Sequence, residues 1–480
     1  MNNIIKKISV LLLIVTSLFL IDYNYTLAYS EENEELKMDY DVQRVKEEAQ
    51  KIVDKIKSQR TYNPNKFTVV IDAGHGGKDS GAVNSALKIY EKNLNLDIAK
   101  AVKTRLESYG INVVMTRDTD VFIELAQRSE IANTINADLF VSLHNDTSEG
   151  NADGAHVIHS VFDNDGGMSK ILATNIANSI KNNTIQNLRR SNPVWSRYYP
   201  DRNDDYYAVI RQSNMPAVIV EHAYMNSTDI QAVNTLEKRN TMGTAVADGI
   251  YKTIKENFKG WINYKGIWKL YNLTTNAPQT GWQFVNSKWY YLNENGVMQT
   301  GWQFVDGKWY LLADSGAMLT GWQFVDGKWY LLDDSGAMLT GWHFVEGKWY
   351  LLADSGAMLT GWQFVDGKWY LLDDSGAILT GWQFVEGKWY LLADSGAMLT
   401  GWQFVEDKWY YLNESGAMLK GWLNLSGEDF YLNESGECVI GWYEIDKDKY
   451  YFDERGVRVS GTVEINGSLY EFDEYGKLIK

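Results

Sequence analysis

A twenty-residue sequence recurs almost unchanged along the C-terminal half of this chain, in the form GWQFVDGKWYLLADSGAMLT. The glycine that opens each unit marks 11 units, from Gly260 to Gly461. A module this short cannot bury an apolar face alone, so such modules must stack on one another. Residues 260–480 are therefore predicted to form an all-β solenoid of hairpins with a period of 20 residues.

Each unit contains the signal for one β-hairpin, an Asp-Gly pair between two short apolar stretches. Taking Asp306-Gly307 as the two-residue turn pairs Phe304 with Trp309, and Trp302 with Leu311. Side chains alternate between the two faces of a strand, so these four residues share one face and Tyr310 lies on the other. Each hairpin then presents two tryptophans diagonally across one face.

The tryptophans of the repeats have two interpretations. Of the 19 tryptophans, all but Trp195 lie within residues 260–480. They could form the core of the solenoid, or pairs of rings near solvent could bind a quaternary ammonium group by cation–π attraction. On the second interpretation the candidate ligand-binding residues are Trp282, Trp289, Trp302, Trp309, Trp322, Trp329, Trp342, Trp349, Trp362, Trp369, Trp382, Trp389, Trp402 and Trp409.

Length and charge limit the classes of function. A chain of 480 residues is too long for one core and predicts two or three domains. Its formal net charge of −16 argues against nucleic acid or an anionic membrane as a partner, because cationic side chains usually provide that attraction. An acidic protein that binds an anionic polymer must contact something other than its phosphates.

The N-terminus has the order of a secretory signal peptide, predicted over residues 1–28. Lys6 and Lys7 precede an apolar run over residues 8–21, and the small residue Ala28 follows. That run is shorter than the roughly 20 residues that span a bilayer, so secretion without stable membrane insertion after cleavage is expected. Residues 29–66 are predicted to be a charged connector with an amphipathic helix, either a cap on the next domain or a spacer.

Residues 67–258 alternate between β-branched stretches and helical patterns, which predicts an open α/β sheet with helices on both faces. The expected strands are 67–72, 111–116, 138–144, 154–160 and 217–221, and the expected helices are 91–109, 122–136, 167–182 and 228–257.

Four chemically capable residues are predicted to meet at one edge of this sheet. His75 follows the first strand, and His144 and Glu221 end two later strands. Glu91 opens the first helix. Functional groups gather at the carboxyl ends of strands in such sheets. Two imidazoles and one carboxylate are a common ligand set for a catalytic zinc, and a second carboxylate can take the proton from the attacking water.

The residues around these positions resemble the zinc-dependent N-acetylmuramoyl-L-alanine amidases that cut peptidoglycan. The matching stretches are VVIDAGHGGKDSGAV (69–83), Glu91 in YEKNLNLDIA, Arg117 in MTRDTD, Arg128, ADLFVSLHND (137–146) and PAVIVEHAYMNSTD (216–229). The resemblance implies one Zn²⁺ ion on His75, Glu91 and His144. It also implies Glu221 as the catalytic carboxylate that moves a proton during hydrolysis of the bond between muramic acid and L-alanine.

Two alternatives to this activity stay open. The chain could be a wall adhesin with an inactive amidase-like domain, or a zinc peptidase that acts within the stem peptide. The presence of all four residues favours an active enzyme, because an inactive copy would not need them.

The repeats resemble choline-binding repeats of cell-wall proteins, which bind choline on teichoic acids. That resemblance implies a secreted, wall-associated enzyme whose partners are peptidoglycan and a choline-bearing teichoic acid; another wall saccharide is the alternative ligand. The last three units carry Asp429, Lys449 and Leu469 at the position of the second tryptophan. They are expected to cap the stack or to mediate self-association.

Overall fold

The computed structural model describes residues 42–58, 63, 66–147 and 153–479. The predicted signal peptide lies outside these ranges. Within them, no helix combines the length and the apolar character needed to cross a membrane. The chain divides into two compact units, Met1–Gln299 and Thr300–Lys480.

A six-stranded sheet forms the centre of the first unit. The strands of this domain are β1 (Thr68–Ala73), β2 (Val83–Asn84), β3 (Ile89–Tyr90), β4 (Asn112–Met115), β5 (Leu139–Asp146), β6 (His156–His159), β7 (Val194–Trp195) and β8 (Ala217–Tyr224). The sheet has the order β4-β1-β5-β8-β6-β7, and β2 pairs with β3 in a separate hairpin. The first four strands of that order run parallel, whereas β6 pairs antiparallel to β8. The carboxyl ends of β1, β5 and β8 therefore meet at one edge.

Helices cover both faces of this sheet, which confirms the predicted architecture. They are a helix over residues 42–57 (α1), α2 (Glu91–Ser108), α3 (Leu125–Thr134), α4 (Met168–Asn183), α5 (Ala208–Arg211) and α6 (Leu236–Asn257). Apolar side chains of α2, α4 and α6 pack against one face, and those of α1, α3 and α5 against the other.

Helix α1 lies within the predicted connector and packs directly on the sheet domain. Its Ala49 and Val53 are fully buried in the same apolar cluster as Val70 of β1 and Phe140 of β5. At its other end, Arg44 pairs with Glu124 at 2.9 Å, just before α3. The amphipathic pattern of this segment thus serves to cap one face of the sheet.

The first repeat unit is bonded to the catalytic domain. Its hairpin consists of β9 (Gly260–Tyr264) and β10 (Ile267–Tyr271). Lys269 Nζ lies 3.0 Å from Asp138 Oδ1, and Tyr271 donates its hydroxyl proton to the same oxygen at 2.8 Å. The first compact unit continues to Gln299 and thus includes the first two hairpins.

Every repeat unit forms one antiparallel hairpin. After β9–β10 the paired strands run from β11 (Gly281–Val285) and β12 (Lys288–Leu292) to β29 (Gly461–Ile465) and β30 (Ser468–Phe472). The predicted register is confirmed, since Phe304 pairs with Trp309 and Trp302 with Leu311. Asp306 and Gly307 have φ of 49° and 79°, as the favoured two-residue hairpin turn requires.

Leucines and alanines, rather than tryptophans, form the buried interior of the solenoid. In the hairpin of β13 (Gly301–Val305) and β14 (Lys308–Leu312), Leu311 and Leu312 are 5% and 2% exposed, and the following Ala317 is equally buried. Consecutive hairpins are also joined through the backbone, as where Met338 N–H donates to the Trp309 carbonyl at 2.8 Å. The interpretation of the second tryptophan as core is therefore wrong: across eight units it is 41–46% exposed.

Candidate active site and aromatic cages

Three of the predicted metal ligands lie together at the carboxyl edge of the sheet. The ligand atoms of His75, Glu91 and His144 are all within 4.8 Å of one another. Nε2 of His75 lies 3.1 Å from Glu91 Oε2, and Nδ1 of His144 lies 3.1 Å from Glu91 Oε1. Gly74 permits this approach, because a Cβ atom there would lie 2.3 Å from the His144 ring.

Asp79 fixes the orientation of the His75 ring. Its Oδ2 lies 2.8 Å from His75 Nδ1. A proton on Nδ1 satisfies this carboxylate and leaves the Nε2 lone pair free toward Glu91. A carboxylate behind a ligating histidine is a common feature of zinc sites. The His75–Glu91–His144 cluster therefore has the donor types and the supporting contact of a site for a divalent metal.

Glu91 is buried and held by several donors. Its Oε2 accepts from Ala82 N–H at 2.8 Å, and its Oε1 accepts from Asn145 N–H at 3.0 Å and Asn95 Nδ2 at 3.2 Å. Burial acts to raise the pKa of Glu91, but hydrogen bonds and charge from His144 and His75 outweigh it and hold the pKa well below its usual range. The carboxylate is thus kept ionised, as a metal ligand must be.

Two arginines hold the loop that carries His75. Arg117 donates to the carbonyls of Ala73 at 2.8 Å and Gly74 at 2.9 Å. Arg128 donates to the His75 carbonyl at 2.9 Å and forms a buried ion pair with Asp72 at 2.8 Å. These bonds stabilise a strained loop, since His75 itself has a φ of 63°. The sequence matched both arginines to the family but did not reveal this function.

Glu221 lies beside this cluster on β8. It pairs in register with His144 of β5 and, on the other side, with His156 of β6. Its Oε2 is buried and has no hydrogen-bond partner among the residues that the structure describes. Burial raises the pKa of Glu221 well above its usual range, and the negative charges of Glu91 and Asp146 add to the shift. A carboxyl group in this environment holds a proton more readily than an exposed one.

A cavity of about 460 Å³ opens over these groups. His75, His144 and Glu221 line its floor, and its walls are largely apolar, formed by Phe122, Ile123, Leu125, Tyr207, Ala208 and Val209. The predicted carboxylate and two of the three predicted ligands thus face one cavity. Among the residues that sequence reasoning missed are Asp79 and Asn95, which act only through contacts that no spacing rule specifies.

The remaining catalytic-domain histidines have structural contacts. His222 is fully buried, with Nδ1 2.7 Å from the His144 carbonyl. His159 Nδ1 lies 2.8 Å from the Ser160 carbonyl. His156 is buried and stacks on Tyr224, with ring centroids 5.7 Å apart. None of the three belongs to the His75–Glu91–His144 cluster.

The candidate ligand-binding tryptophans form cages with a third ring from the next unit. Trp302 and Trp309 are nearly perpendicular, at 85°, with centroids 6.5 Å apart. Tyr330 of the following hairpin approaches Trp302 at 5.0 Å and 64°. The same contact joins Trp322 to Tyr350, Trp342 to Tyr370, Trp362 to Tyr390 and Trp382 to Tyr410. The sequence predicted that stacking adds aromatic walls from the next unit, but it did not identify this tyrosine as the wall.

In the ninth unit, the chain places a cation of its own near a tryptophan. Trp422 keeps its contact with Tyr450 of the next unit at 5.2 Å, but Asp429 replaces the second tryptophan. The guanidinium of Arg458 lies 6.0 Å from the Trp422 ring centroid and pairs with Asp429 at 2.7 Å. In this unit, therefore, a positive charge held by Asp429 lies beside the first tryptophan.

Two kinds of family model match the chain. Residues 69–252 match the family described as N-acetylmuramoyl-L-alanine amidase. The model described as a choline-binding repeat matches 279–320, 319–360, 359–400 and 399–440, and one described as a cell wall binding repeat matches 440–457. The sheet domain and the hairpins are thus each similar to a known family.

Curated relatives match the sheet domain. The chain is 34% identical over 184 residues to uncharacterized protein YqiI of Bacillus subtilis, covering 38% of this chain and 82% of that protein. It is 36% identical over 194 residues to an endolysin of Bacillus phage SPP1, covering 39% and 65%. It is 31% identical over 185 residues to probable cell wall amidase LytH of Staphylococcus epidermidis, covering 38% and 57%. The chain thus spans less than two thirds of the length of the endolysin and of LytH.

Proposed function

The chain belongs to the N-acetylmuramoyl-L-alanine amidase family, and we propose that it is a secreted, zinc-dependent enzyme that cuts the amide bond between N-acetylmuramic acid and L-alanine of the stem peptide. The single observation that carries the proposal is the meeting of His75, Glu91 and His144 beside Glu221. We propose further that the repeats attach the enzyme to the wall through choline on teichoic acid.

His75, Glu91 and His144 would hold the zinc ion. Two neutral imidazoles and an ionised carboxylate are a donor set that zinc prefers, and an incomplete protein shell leaves room for water. When bound, the ion makes a water molecule acidic enough to supply a nucleophile at neutral pH and polarises the scissile carbonyl. Asp79 holds the His75 ring, while Asn95 and the Asn145 backbone hold the Glu91 carboxylate.

Glu221 moves the proton in the proposed reaction. Its free Oε2 accepts a proton from the attacking water and passes it to the amine of L-alanine as the C–N bond breaks. The raised pKa suits both steps, because the carboxyl must gain a proton and then lose it within one turnover. The apolar side chains of the cavity walls offer surfaces for the lactyl and alanyl methyl groups of the proposed substrate.

Three observations support choline as the ligand of the repeats. The matching family is that of choline-binding repeats. Each complete cage offers three ring faces at steep angles to one another, and aromatic faces attract a quaternary ammonium group. Arg458 already brings a cation near the related ring of Trp422. Choline also accounts for the net charge of −16, since a cationic substituent lets an acidic protein bind an anionic polymer.

Mass spectrometry of digested peptidoglycan tests the proposed reaction. An amidase releases intact stem peptides with free L-alanine amino termini and leaves unsubstituted muramic acid. A zinc peptidase would instead create new termini inside the stem peptide, and an inactive adhesin would release nothing. Either of those results would contradict the proposed activity.

Thermal unfolding with and without choline tests the proposed anchor. A ligand that binds only the folded repeats must raise their Tm. An equal concentration of sodium chloride controls for the effect of ionic strength. An unchanged Tm in choline would exclude choline as the ligand and would favour another wall saccharide.

A further inference from the structure

Seven successive hairpins expose a phenylalanine at the same position. Phe284, Phe304, Phe324, Phe344, Phe364, Phe384 and Phe404 are each 57–60% exposed. Single exposed apolar side chains are normal on protein surfaces. The same exposed ring at the same position of seven hairpins, each in contact with a tryptophan of its own hairpin, indicates a repeated binding surface.

Each phenylalanine extends the cage of its own hairpin. Phe304 lies directly opposite Trp309 in the strand pair, with ring centroids 5.2 Å apart and planes at 48°. Trp309 is also a wall of the cage through its contact with Trp302. Trp302 precedes Phe304 by two residues on the same strand, so Phe304 lies on the turn side of the cage. We call each such pair, Phe304 with Trp309 and its equivalents, an aromatic shelf.

One hairpin of this chain has a cage without a shelf. The first hairpin has a full cage, with Trp261, Trp268 and Tyr290 in contact, yet Asn263 stands opposite Trp268. The cage therefore forms without the phenylalanine. In the last three hairpins the second tryptophan is absent, and Asn424, Glu444 and Glu464 occupy the phenylalanine position.

The shape and charge of the shelf favour a neutral sugar ring. Two rings tilted by 48° leave an open surface, whereas steeply angled walls enclose a compact cation. The electron-rich aromatic faces attract the polarised C–H groups on the flat side of a pyranose. An exposed carboxylate follows two residues after most of these phenylalanines, as Asp306 follows Phe304, and it can accept hydrogen bonds from sugar hydroxyls.

The same carboxylates disfavour pairing of two copies through their shelves. A face-to-face dimer would bring rows of acidic turns together, including Asp306, Asp326 and Glu346. Like charges that are brought close oppose association. A phosphate group on the shelf meets the same repulsion, which leaves a neutral ring as the favoured occupant.

We propose that each aromatic shelf binds a neutral pyranose ring of the wall polymer whose choline enters the adjoining cage. This inference rests on the proposed function of the repeats and extends it from a single substituent to a two-part ligand. Because Trp309 belongs to both sites, the two parts of the ligand must be neighbours on one polymer. Each unit then recognises a repeating unit of the polymer, and the whole array gains from many such contacts.

The test replaces shelf phenylalanines by asparagine, the residue that the first hairpin has at this position. In the full-length protein, Phe304, Phe324, Phe344, Phe364 and Phe384 are changed to Asn together. Because these side chains are exposed, the variant should fold with the Tm of the wild type in the absence of ligand. The probes are choline chloride, choline-bearing teichoic acid, and a neutral chito-oligosaccharide. A matched variant carries the same number of Trp→Ala changes at Trp302, Trp322, Trp342, Trp362 and Trp382.

We expect the Phe→Asn variant to keep the choline-induced rise in Tm and to lose about tenfold or more in affinity for teichoic acid, since several weak contacts are removed at once. It should also lose any binding of the oligosaccharide, while the Trp→Ala variant loses the choline response. If the Phe→Asn variant kept the wild-type affinity for teichoic acid and for the oligosaccharide, the proposal that the shelf binds a sugar ring would be wrong. Loss of the choline response in the Phe→Asn variant would also contradict the proposal, because phenylalanine would then be only another cage wall.

Two further outcomes are distinguishable. If the wild type is a dimer by sedimentation and the Phe→Asn variant is a monomer with unchanged polymer affinity, the row is a contact between copies and the shelf proposal is wrong. If choline fails to raise the Tm of the wild type, the choline proposal fails. In that case, oligosaccharide binding that depends on the phenylalanines would still support a sugar site on the shelf, and its absence would overturn that as well.

Discussion

Six side chains of the catalytic domain carry a buried polar atom that has no partner in the described part of the chain, and two of these atoms are Glu221 Oε2 and His156 Nδ1. These two side chains are neighbours in the sheet. They face each other across the β6–β8 strand pair. Leaving a buried polar atom without any hydrogen bond costs about 1–3 kcal/mol. For Glu221, the free oxygen is the one that the proposed proton transfer requires.

The change Glu221→Gln keeps the shape of this side chain and removes its ability to carry a proton. We expect hydrolysis of purified peptidoglycan to fall by about 10²–10⁴-fold. The zinc content, measured by mass spectrometry of the metal, should stay at the wild-type level, because Glu221 is outside the ligand cluster. Glu91→Gln is the contrasting variant, which should lose zinc as well. Near wild-type turnover in Glu221→Gln would disprove the assigned role.

His156 makes the stability of the catalytic domain depend on pH. Burial lowers the pKa of His156 to about 4, and the positive charge of Arg189 contributes. An unfolded histidine titrates near 6.5, so between about pH 6.5 and 4 the unfolded chain binds the extra proton. Stability should therefore fall as the pH drops through this window, by up to about 3 kcal/mol from this one group.

The change His156→Gln should flatten this pH dependence. The measurement is the Tm of the catalytic-domain transition by calorimetry from pH 4 to 7.5, compared with wild type so that effects common to both proteins cancel. His343→Gln is the control, because Gln makes the same bond to the Thr carbonyl in neighbouring units, as Gln323 does to Thr320. Parallel curves for wild type and His156→Gln would contradict the prediction.

The sequence predicted which candidate site residues lie close together better than it predicted the side chains that contact them. His75, His144 and Glu221 follow from strand ends, since parallel strands deliver such residues to one edge of a sheet. Asp79 and the Arg117–Arg128 pair could not be predicted, because their contacts depend on the path of a loop with positive φ at His75. Such contacts are set by tertiary packing, for which periodicity gives no signal.

At the scale of elements, hairpins were predictable in register because the turn determines which residues face each other. The tyrosine walls were not, because Tyr330 contacts Trp302 across the gap between two hairpins. Stacking also depends on glycines in the links between hairpins. Gly336 has a φ of 84°, and a Cβ atom there would lie 2.4 Å from the sulfur of Met318.

Comparison of Gly336→Ala with Gly327→Ala separates the free-energy cost of backbone strain from the cost of the contact with Met318. Gly327 has a similar φ of 78°, but a Cβ atom there would meet nothing within 4 Å. Both changes should cost about 1–2 kcal/mol for the left-handed backbone. Gly336→Ala should cost about 1–3 kcal/mol more, because Met318 must move. Chemical denaturation measures both, and adding Met318→Ala should recover much of the difference; equal destabilisation would show that Met318 contributes nothing.

At the scale of the whole molecule, composition and period predicted an α/β domain followed by a solenoid. The boundary between them was less predictable. The first hairpin follows the repeat in sequence but is bonded to the catalytic domain through Lys269 and Tyr271, which replace residues of the later units. A repeat period shows where units begin, but it does not show which surface the first unit packs against.

Wall attachment should depend on the number of intact cages. One change, Trp342→Ala, should speed dissociation from purified walls by only about twofold, because the remaining cages rebind. Changing Trp302, Trp322, Trp342, Trp362 and Trp382 together should speed it by about 10²-fold or more. Thr462→Ala, at the equivalent position of the last unit, is the control and should have no effect. If each single Trp→Ala change weakened wall attachment by an equal share of the effect of the fivefold variant, attachment would not be multivalent.

The bonds of the first hairpin to Asp138 determine where mechanical force enters the enzyme. A wall under tension pulls on an attached tail, and the first hairpin transmits that pull to the residue before β5. Strand β5 is bonded to β1 on one side and to β8 on the other, so the load is shared between two rows of parallel-strand hydrogen bonds. His144 lies six residues further along, roughly 20 Å away. In the proposed attachment, a pull on the repeats therefore enters at the amino end of β5, at the opposite end of the parallel strands from His144 and Glu221.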